Sequence, residues 1–209
     1  MKPEVMTRLA KPMLFSAALI WGTSFFIMKN ALDVMPVFCL LAVRFTAGAI
    51  LMAVICGIKW KAVTVDYLWR GAVIGGFLFL AYTVQTFGLA QTTPSKNAFL
   101  TSVYCVMVPF LHWAATKEKP DRYNIVAAVL CVTGVGLVSL NGELSVNMGD
   151  LMTLLSAFFY AAHIAAVAKV SPGKDIYLLT AFQFGFAGLY AAGFALTTEE
   201  FPIWAMYDP

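Results

Sequence analysis

Seven apolar runs, at about 12–32, 36–56, 67–90, 97–116, 122–140, 149–169 and 175–197, take up most of the chain. Each is roughly 17–23 residues long, the length at which a helix rising ~1.5 Å per residue crosses about 30 Å of hydrocarbon. An eighth run begins at Phe201 and reaches Pro209. In hydrocarbon a backbone must satisfy its own hydrogen bonds, so runs of this length become membrane-crossing helices. The connectors are short and carry turn chemistry: Met35-Pro36, Thr93-Pro94, Lys119-Pro120, Asn141-Gly142 and Ser171-Pro172-Gly173. None is long enough to form a soluble domain. Hydrophobic residues make up 61% of the chain and charged residues 12%, with a mean hydropathy of +0.80. A soluble domain carries roughly 45–50% and about 25%, and a folded surface could not hide such a surplus from water. The expected fold class is all-α, a polytopic transmembrane helix bundle.

The charges fall at the ends of the runs and alternate in kind. With the N-terminus in the cytoplasm, the inner side collects Lys2, Arg8, Lys11, Lys59, Lys61, Arg70, Lys117, Lys119, Arg122, Lys169 and Lys174. The outer side collects only Lys29 and Lys96, beside Asp33, Glu143, Asp150, Glu199 and Glu200. Cytoplasmic loops are the ones enriched in lysine and arginine. The expected placement is therefore the cell membrane, multi-pass, with the N-terminus inside. A missed or invented span would destroy the alternation midway. Lys2, Arg8 and Lys11 ahead of the apolar stretch resemble a secretory signal, but the run from Met13 to Met28 leads straight into Lys29 without a small-residue cleavage site. It reads as an uncleaved first span.

Several chemistries are excluded by the same pattern. The net charge is only +3, and no basic stripe interleaved with aromatics lies outside the apolar runs, so no nucleic-acid partner is expected. Cys39, Cys56, Cys105 and Cys131 sit inside apolar runs, none in a CxxC pair, and read as packing residues rather than metal ligands. Every acidic residue lies in a loop or at a helix boundary, which leaves no carboxylate pair inside the bilayer. No G-x-S-x-G, H-E-x-x-H or phosphate-binding loop is present. Neither catalysis nor a cofactor is expected. Active transport would draw on an ion gradient or exchange; otherwise the process would be facilitated diffusion.

An internal repeat narrows the class. At an offset of 140 residues, Leu14, Ser16, Ala17 and Lys29 fall on Leu154, Ser156, Ala157 and Lys169. One residue of slippage later, Ala42-Val43-Arg44-Phe45 falls on Ala181-Phe182-Gln183-Phe184. The first span thus matches the sixth and the second matches the seventh. Five spans separate the copies, and an odd number inverts the second relative to the first, as in secondary transporters. Two full copies would need about ten helices, so the second copy is read as incomplete.

Five segments carry a family resemblance. They are Ala18-Leu19-Ile20-Trp21-Gly22-Thr23-Ser24, Ala42-Val43-Arg44-Phe45, the connection from Gly88 to Leu100, Val108-Pro109-Phe110 and Gly149-Asp150-Leu151. In this order and spacing the chain resembles the drug/metabolite transporter superfamily, EamA type. The resemblance implies two inverted five-helix halves that move metabolites, amino acids or drugs. It makes residues 12–140 the first repeat and 149–209 the start of the second, with helices 8 to 10 lacking.

Arg44 is the leading candidate site residue. It lies about 12 Å into the second span, where a charge costs roughly 2.5–3.5 kcal/mol unless it faces a cavity or partner. It could meet an anionic or carboxylate-bearing substrate, bond helix carbonyls, or snorkel outward to Asp33. Its repeat mate Gln183 keeps the polarity without the charge. Tyr82, Gln85 and Thr86 share one face of the third span, and Asn97, Thr101 and Tyr104 share one face of the fourth. If the faces meet, they line a polar pocket open to the outside; the alternative is plain interhelical hydrogen bonding. Trp21 would be an aromatic wall of that cavity or a packing residue. His163 would relay protons or be a satisfied neutral hydrogen-bonder, and Tyr160 lies one turn before it. Lys29, Lys169 and His112 sit near span ends, where snorkelling accounts for the lysines. Gly71 with Gly75, and Gly185, Gly188 and Ala192, read as small-residue stripes for close helix contact.

Two readings of function follow. The first is a secondary transporter, an exporter of small organic metabolites or drugs working by alternating access. The second is a truncated, non-transporting membrane protein or a helical partner of another one. Expected partners are the lipid bilayer, a small-molecule substrate, and a second copy or a protein supplying the missing helices.

Overall fold

The computed structural model describes residues 3–57, 63–117, 119–139 and 147–199. Its elements are α1 (Pro3–Ala31), α2 (Val37–Cys56), α3 (Val65–Gln91), α4 (Pro94–Thr101), α5 (Tyr104–Thr116), α6 (Arg122–Ser139), α7 (Met148–Val170) and α8 (Ile176–Thr198). Among the described residues, six spans are long and apolar enough to cross a bilayer: α1 from Ala10, α2, α3, α4 with α5 up to Ala114, α7 and α8. The fifth expected span becomes α6, whose apolar stretch Arg122–Gly134 is shorter. The expected run from Phe201, the Asn141-Gly142 turn, and Lys2, Lys59, Lys61, Glu143 and Glu200 lie outside the described residues.

The fourth span differs in detail from its sequence reading. It starts at Pro94 rather than 97, because Thr93 caps it, its Oγ1 accepting from Lys96 N at 3.3 Å. Proline costs nothing at a first helical position, where the amide would have no partner. At Ser102-Val103 the winding tightens to i→i+3 bonds, Cys105 N to Ser102 O and Val106 N to Val103 O, both 3.0 Å. Ser102 and Val103 keep right-handed helical dihedrals, so α4 and α5 form one span with a 3₁₀ turn in it.

The most extensive packing joins α2 to α8 and α3 to both α7 and α8. The α3 span is the most buried and α1 the least. Lipid tails are as apolar as leucine, so helices in a membrane associate through close backbone approach rather than expulsion of water. Glycines supply that approach here. A Cβ on Gly71 would lie 2.6 Å from Phe182 Cβ, and one on Gly75 2.7 Å from Gln183 O. Gly88 and Gly149 face each other, each 2.8 Å from the other's carbonyl oxygen by the same construction. Gly188 lies against Thr46 at 3.0 Å. Gly185, expected in the same stripe, meets nothing within 4 Å; it faces a groove rather than a helix. Around these contacts Leu41, Phe45, Leu78, Phe79, Ala187 and Ala191 form the main buried cluster.

Charged residues close the helix ends. The start of α2 after Pro36 has no local side-chain cap, and Glu199 supplies one from the far end of α8, accepting from Phe38 N at 2.8 Å and Cys39 N at 2.9 Å. Lys29 does not snorkel away. Its Nζ donates to Leu89 O and Ala90 O, both 2.8 Å, at the end of α3. A carboxylate at a helix start and an ammonium at a helix end both oppose the macrodipole. At the opposite end Arg70 donates to Val170 O at 2.6 Å and to Asp66 at 2.8 Å, while Lys174 pairs with Asp66.

Candidate functional site

Arg44 projects from α2 towards α1 and α3. Its guanidinium carbon lies 4.7 Å from the centroid of the Tyr82 ring, within cation–π range, and its Nη1 meets Met28 Sδ. Among the described residues no carboxylate pairs with it, Asp33 included. The ring under it belongs to an aromatic chain. Phe45 meets Tyr82 edge-on at 5.2 Å, Tyr160 meets Tyr82 edge-on at 5.3 Å, and Tyr104 meets Tyr160 at 5.9 Å. Such offset and edge-on pairs are the favoured arrangements of aromatic quadrupoles.

A hydrogen-bonded chain continues from Tyr160 across three spans. Tyr160 OH donates to Gln85 Oε1 at 2.8 Å, and Gln85 Nε2 donates to Thr101 Oγ1 at 2.9 Å. The Thr101 hydroxyl donates to Asn97 O at 2.8 Å. Asn97 Nδ2 donates to Thr153 Oγ1 at 2.7 Å and to Gln85 O at 3.3 Å. Thr153 then donates to Gly149 O at 2.7 Å. Asn97 is 0% exposed, and its Oδ1 accepts no bond within the protein. The faces of α3 and α4 therefore do meet, and at Gln85, Asn97 and Thr101 they are bonded to each other rather than set apart. On the other side of the cluster Arg44, Tyr82, Tyr104 and Tyr160 are all half-buried.

Seven of the sequence candidates thus come together: Arg44, Tyr82, Gln85, Asn97, Thr101, Tyr104 and Tyr160. Four do not join them. His163 Nε2 and Gln183 Oε1 form their own contact at 3.1 Å between α7 and α8. Trp21 is 62% exposed on the outside of the loosely packed α1 and lines nothing in the cluster. Thr86 turns away to its own helix, donating to Tyr82 O at 2.7 Å. Thr153 is the member that sequence reasoning passed over, although it follows Gly149 by one helical turn and so shares the face that Gly149 packs against α3.

The Tyr160 hydroxyl offers a clean measurement. Tyr160→Phe keeps both ring contacts and removes one bond, so it is expected to cost about 0.6 kcal/mol, up to about 1.7, in unfolding titrations in mixed micelles. A larger loss would mean that the Gln85–Thr101 link collapses with it.

Helices of spanning length around buried polar side chains define a multi-pass membrane protein with a polar interior. Residues 9–140 match the EamA-like transporter family, and the chain belongs to that family. It is 34% identical over 188 residues to an uncharacterized transporter of Archaeoglobus fulgidus, covering 89% of this chain and 58% of that one. It is 25% identical over 195 residues to the uncharacterized transporter YetK of Bacillus subtilis, covering 88% and 58%. It is 22% identical over 206 residues to a second uncharacterized transporter of that organism, YvbV, covering 96% and 67%. The chain therefore spans less than two thirds of the length of the first two relatives. No solved structure matches it significantly.

Proposed function

We propose that the chain forms part of a secondary transporter that exports small organic solutes bearing a carboxylate or similar anion across the cell membrane, with its N-terminus in the cytoplasm. The observation that carries this is Arg44: a guanidinium within a span, resting on a tyrosine ring, with no carboxylate partner among the described residues. A charge in that position is costly without a counter-charge, and a solute anion supplies one through charge-assisted hydrogen bonds. The Tyr82 ring lies under it, Tyr160 packs on Tyr82 and Tyr104 on Tyr160, and Asn97 Oδ1 is a further acceptor deeper in the cluster.

Alternating access by inverted halves draws support from the α2–α8 contact. The two helices run antiparallel, since Phe38 meets Glu199 and Phe194 near one end while Phe45 meets Phe184 further along. Phe45 and Phe184 are counterparts in the repeat, and they stack on each other at 6.3 Å and 27°. Gly48 lies against Phe184 and Gly188 against Phe45, both 3.5 Å from a built Cβ. Inverted halves related by a pseudo-two-fold axis would bring such counterparts together, and the contact supports the reading on that ground.

The test uses the full-length protein and a panel of labelled organic acids, amino acids and organic cations. Arg44→Ala is expected to cut flux of the anionic members about tenfold or more, since a charge-assisted bond is worth about 1.5–3 kcal/mol, with membrane insertion unchanged. Normal flux in that variant would remove Arg44 from the site. The second reading, a helical partner of another membrane protein, is favoured by α1, whose Leu14, Phe15, Ile20 and Trp21 face outward. Under it, Arg44→Ala changes stability alone.

A further inference from the structure

The contact between His163 and Gln183 stands apart from the Arg44 cluster. α7 and α8 each pack extensively on α3 and little on each other, and this contact links them within their spans. His163 precedes the end of α7 at Val170 by seven residues, and Gln183 follows the start of α8 at Ile176 by seven. Both therefore lie about 10 Å inside. Gln183 is also the repeat counterpart of Arg44, and α1 with α2 matches α7 with α8. Arg44 reaches from α2 to Met28 of α1, as Gln183 reaches from α8 to His163 of α7. Each pair of spans thus carries a bridging polar group at the same register: a permanent cation in one, a histidine with a carboxamide in the other. Histidine is the side chain whose ordinary pKa lies between pH 5 and 8. Among the described residues, the acids of the spans, Asp66 and Asp150, sit in first turns, and His112 is exposed near the end of α5. His163 is the group left in the interior that can exchange a proton near neutral pH.

We propose that His163 binds and releases the proton that drives transport. The inference rests on the transport reading above and supplies its coupling ion. Gln183 is the partner that suits a titrating ring. A carboxylate there would hold the imidazole charged, whereas Gln183 Oε1 accepts from Nε2–H in the neutral and the charged ring alike. With Nε2–H so engaged, Nδ1 carries the lone pair and takes the proton, and the same proton leaves with no other reactant. The surroundings do not fix the charge. On α7, Tyr160 is bonded to Gln85, and Lys169 lies in the last turn. On α3, Arg70 and Asp66 are taken up with Val170 O, Lys174 and each other, Tyr67 with Asp175 N, and Tyr82 with Arg44. On α4 and α5, Lys96 holds Asp150 and Tyr104 rests on Tyr160, while Cys105 and His112 are exposed. On α8, Tyr190 donates to Ala72 O, Asp175 caps its own helix, Glu199 caps α2 and Tyr177 is exposed. A charge inside a span is costly unless it meets water or a partner. Protonation therefore favours an arrangement that opens the gap between α7 and α8 to water, and release favours the closed one. Gln183 carries that bias to the seam where Gly71 and Gly75 of α3 meet α8, an interface between the halves that would rock.

The test places the full-length protein in proteoliposomes with the labelled panel. A difference of about one pH unit across the membrane is expected to shift solute accumulation about tenfold for one proton per solute. His163→Gln, which can still donate to Gln183, is expected to lose that shift while solute-for-solute exchange at equal pH continues. His163→Asn is the second variant should the first disturb folding. A shift of normal size in the variant would overturn the coupling role. Loss of exchange together with the shift would overturn it too, since a bond that only holds α7 to α8 has that signature. Nitrogen NMR spectra of histidine-labelled protein in nanodiscs read proton binding without transport. The signals that the variant lacks belong to His163, and its Nδ1 is expected to become protonated between about pH 8 and pH 5. An Nδ1 unchanged over that range would overturn the proton site even if solutes move. A wild-type protein that moves no member of the panel, beside a ring that titrates, would overturn the transport reading and the coupling role with it, but not the proton site.

Discussion

Replacing Asp150 by alanine is expected to destabilise the folded bundle by about 3–5 kcal/mol, the usual result of removing one partner of a buried ion pair. The Asp150 side chain is 3% exposed and its Oδ2 lies 2.6 Å from Lys96 Nζ. Oδ1 accepts from the Thr92 hydroxyl at 2.8 Å, and Oδ2 from Asn147 N at 3.2 Å. Asn147 Oδ1 accepts in return from Asp150 N at 2.8 Å, which closes a capping box at the start of α7. One carboxylate thus ties the end of α3, the start of α4 and the start of α7. Lys96→Ala should cost less. It leaves Asp150 with the Thr92 and Asn147 bonds and with the positive end of the α7 dipole. The alanine at 150 instead strands Thr92 and the Asn147 amide together with the ammonium. Thermal midpoints in lipid nanodiscs, read for both variants, check the ranking. If Lys96→Ala proved the more damaging, the carboxylate would be held by the ion pair alone and the capping account would fail.

The Gly149-Asp150-Leu151 segment shows what a sequence can and cannot carry in such a chain. The spans were legible because hydrocarbon thickness sets their length, and the helical spacing of Tyr82 with Gln85, and of Asn97 with Thr101 and Tyr104, placed each set on one face. What those faces do to each other was not legible. Periodicity says that Gln85 and Thr101 point from a given side of their helices, but only the packing of α3, α4 and α7 brings them to 2.9 Å. Trp21 failed for a related reason. The first span is apolar nearly all round, so nothing in its pattern marks an inward side, and the tryptophan turned outward. Contacts across long stretches of chain were also invisible. Glu199 caps α2 from 160 residues away, and Lys29 reads as a snorkelling end residue until the end of α3 is beside it. Gly185 and Gly188 carry the same chemistry in one stripe, and only their neighbours separate a packing glycine from a cavity-forming one.

Gly88→Ala is expected to separate α3 from α7, and its sign distinguishes contact from composition. A methyl at Gly88 would sit 2.6 Å from Thr153 Oγ1 and 2.8 Å from Gly149 O. Neither neighbour can give way freely. The Thr153 hydroxyl is held between Asn97 Nδ2 and Gly149 O, at 2.7 Å each, and Gly149 O belongs to the first turn of α7. The helices must therefore part, at an overpacking cost of about 1–3 kcal/mol, and the Asn97–Thr153 bond breaks with them. Gly88→Leu should abolish the packed state. Gly193 provides the opposite case on α8, since a Cβ there meets nothing within 4 Å. Gly193→Ala should raise stability by up to about 1 kcal/mol, the ordinary preference of a helix interior for alanine over glycine. Because both changes add the same methyl, helix propensity alone would move both midpoints upward. A fall at Gly88 beside a rise at Gly193 isolates the backbone approach of α3 to α7. A rise at both would mean that these helices stand further apart than 2.8 Å allows, and that the polar chain from Tyr160 to Thr153 has no rigid seat.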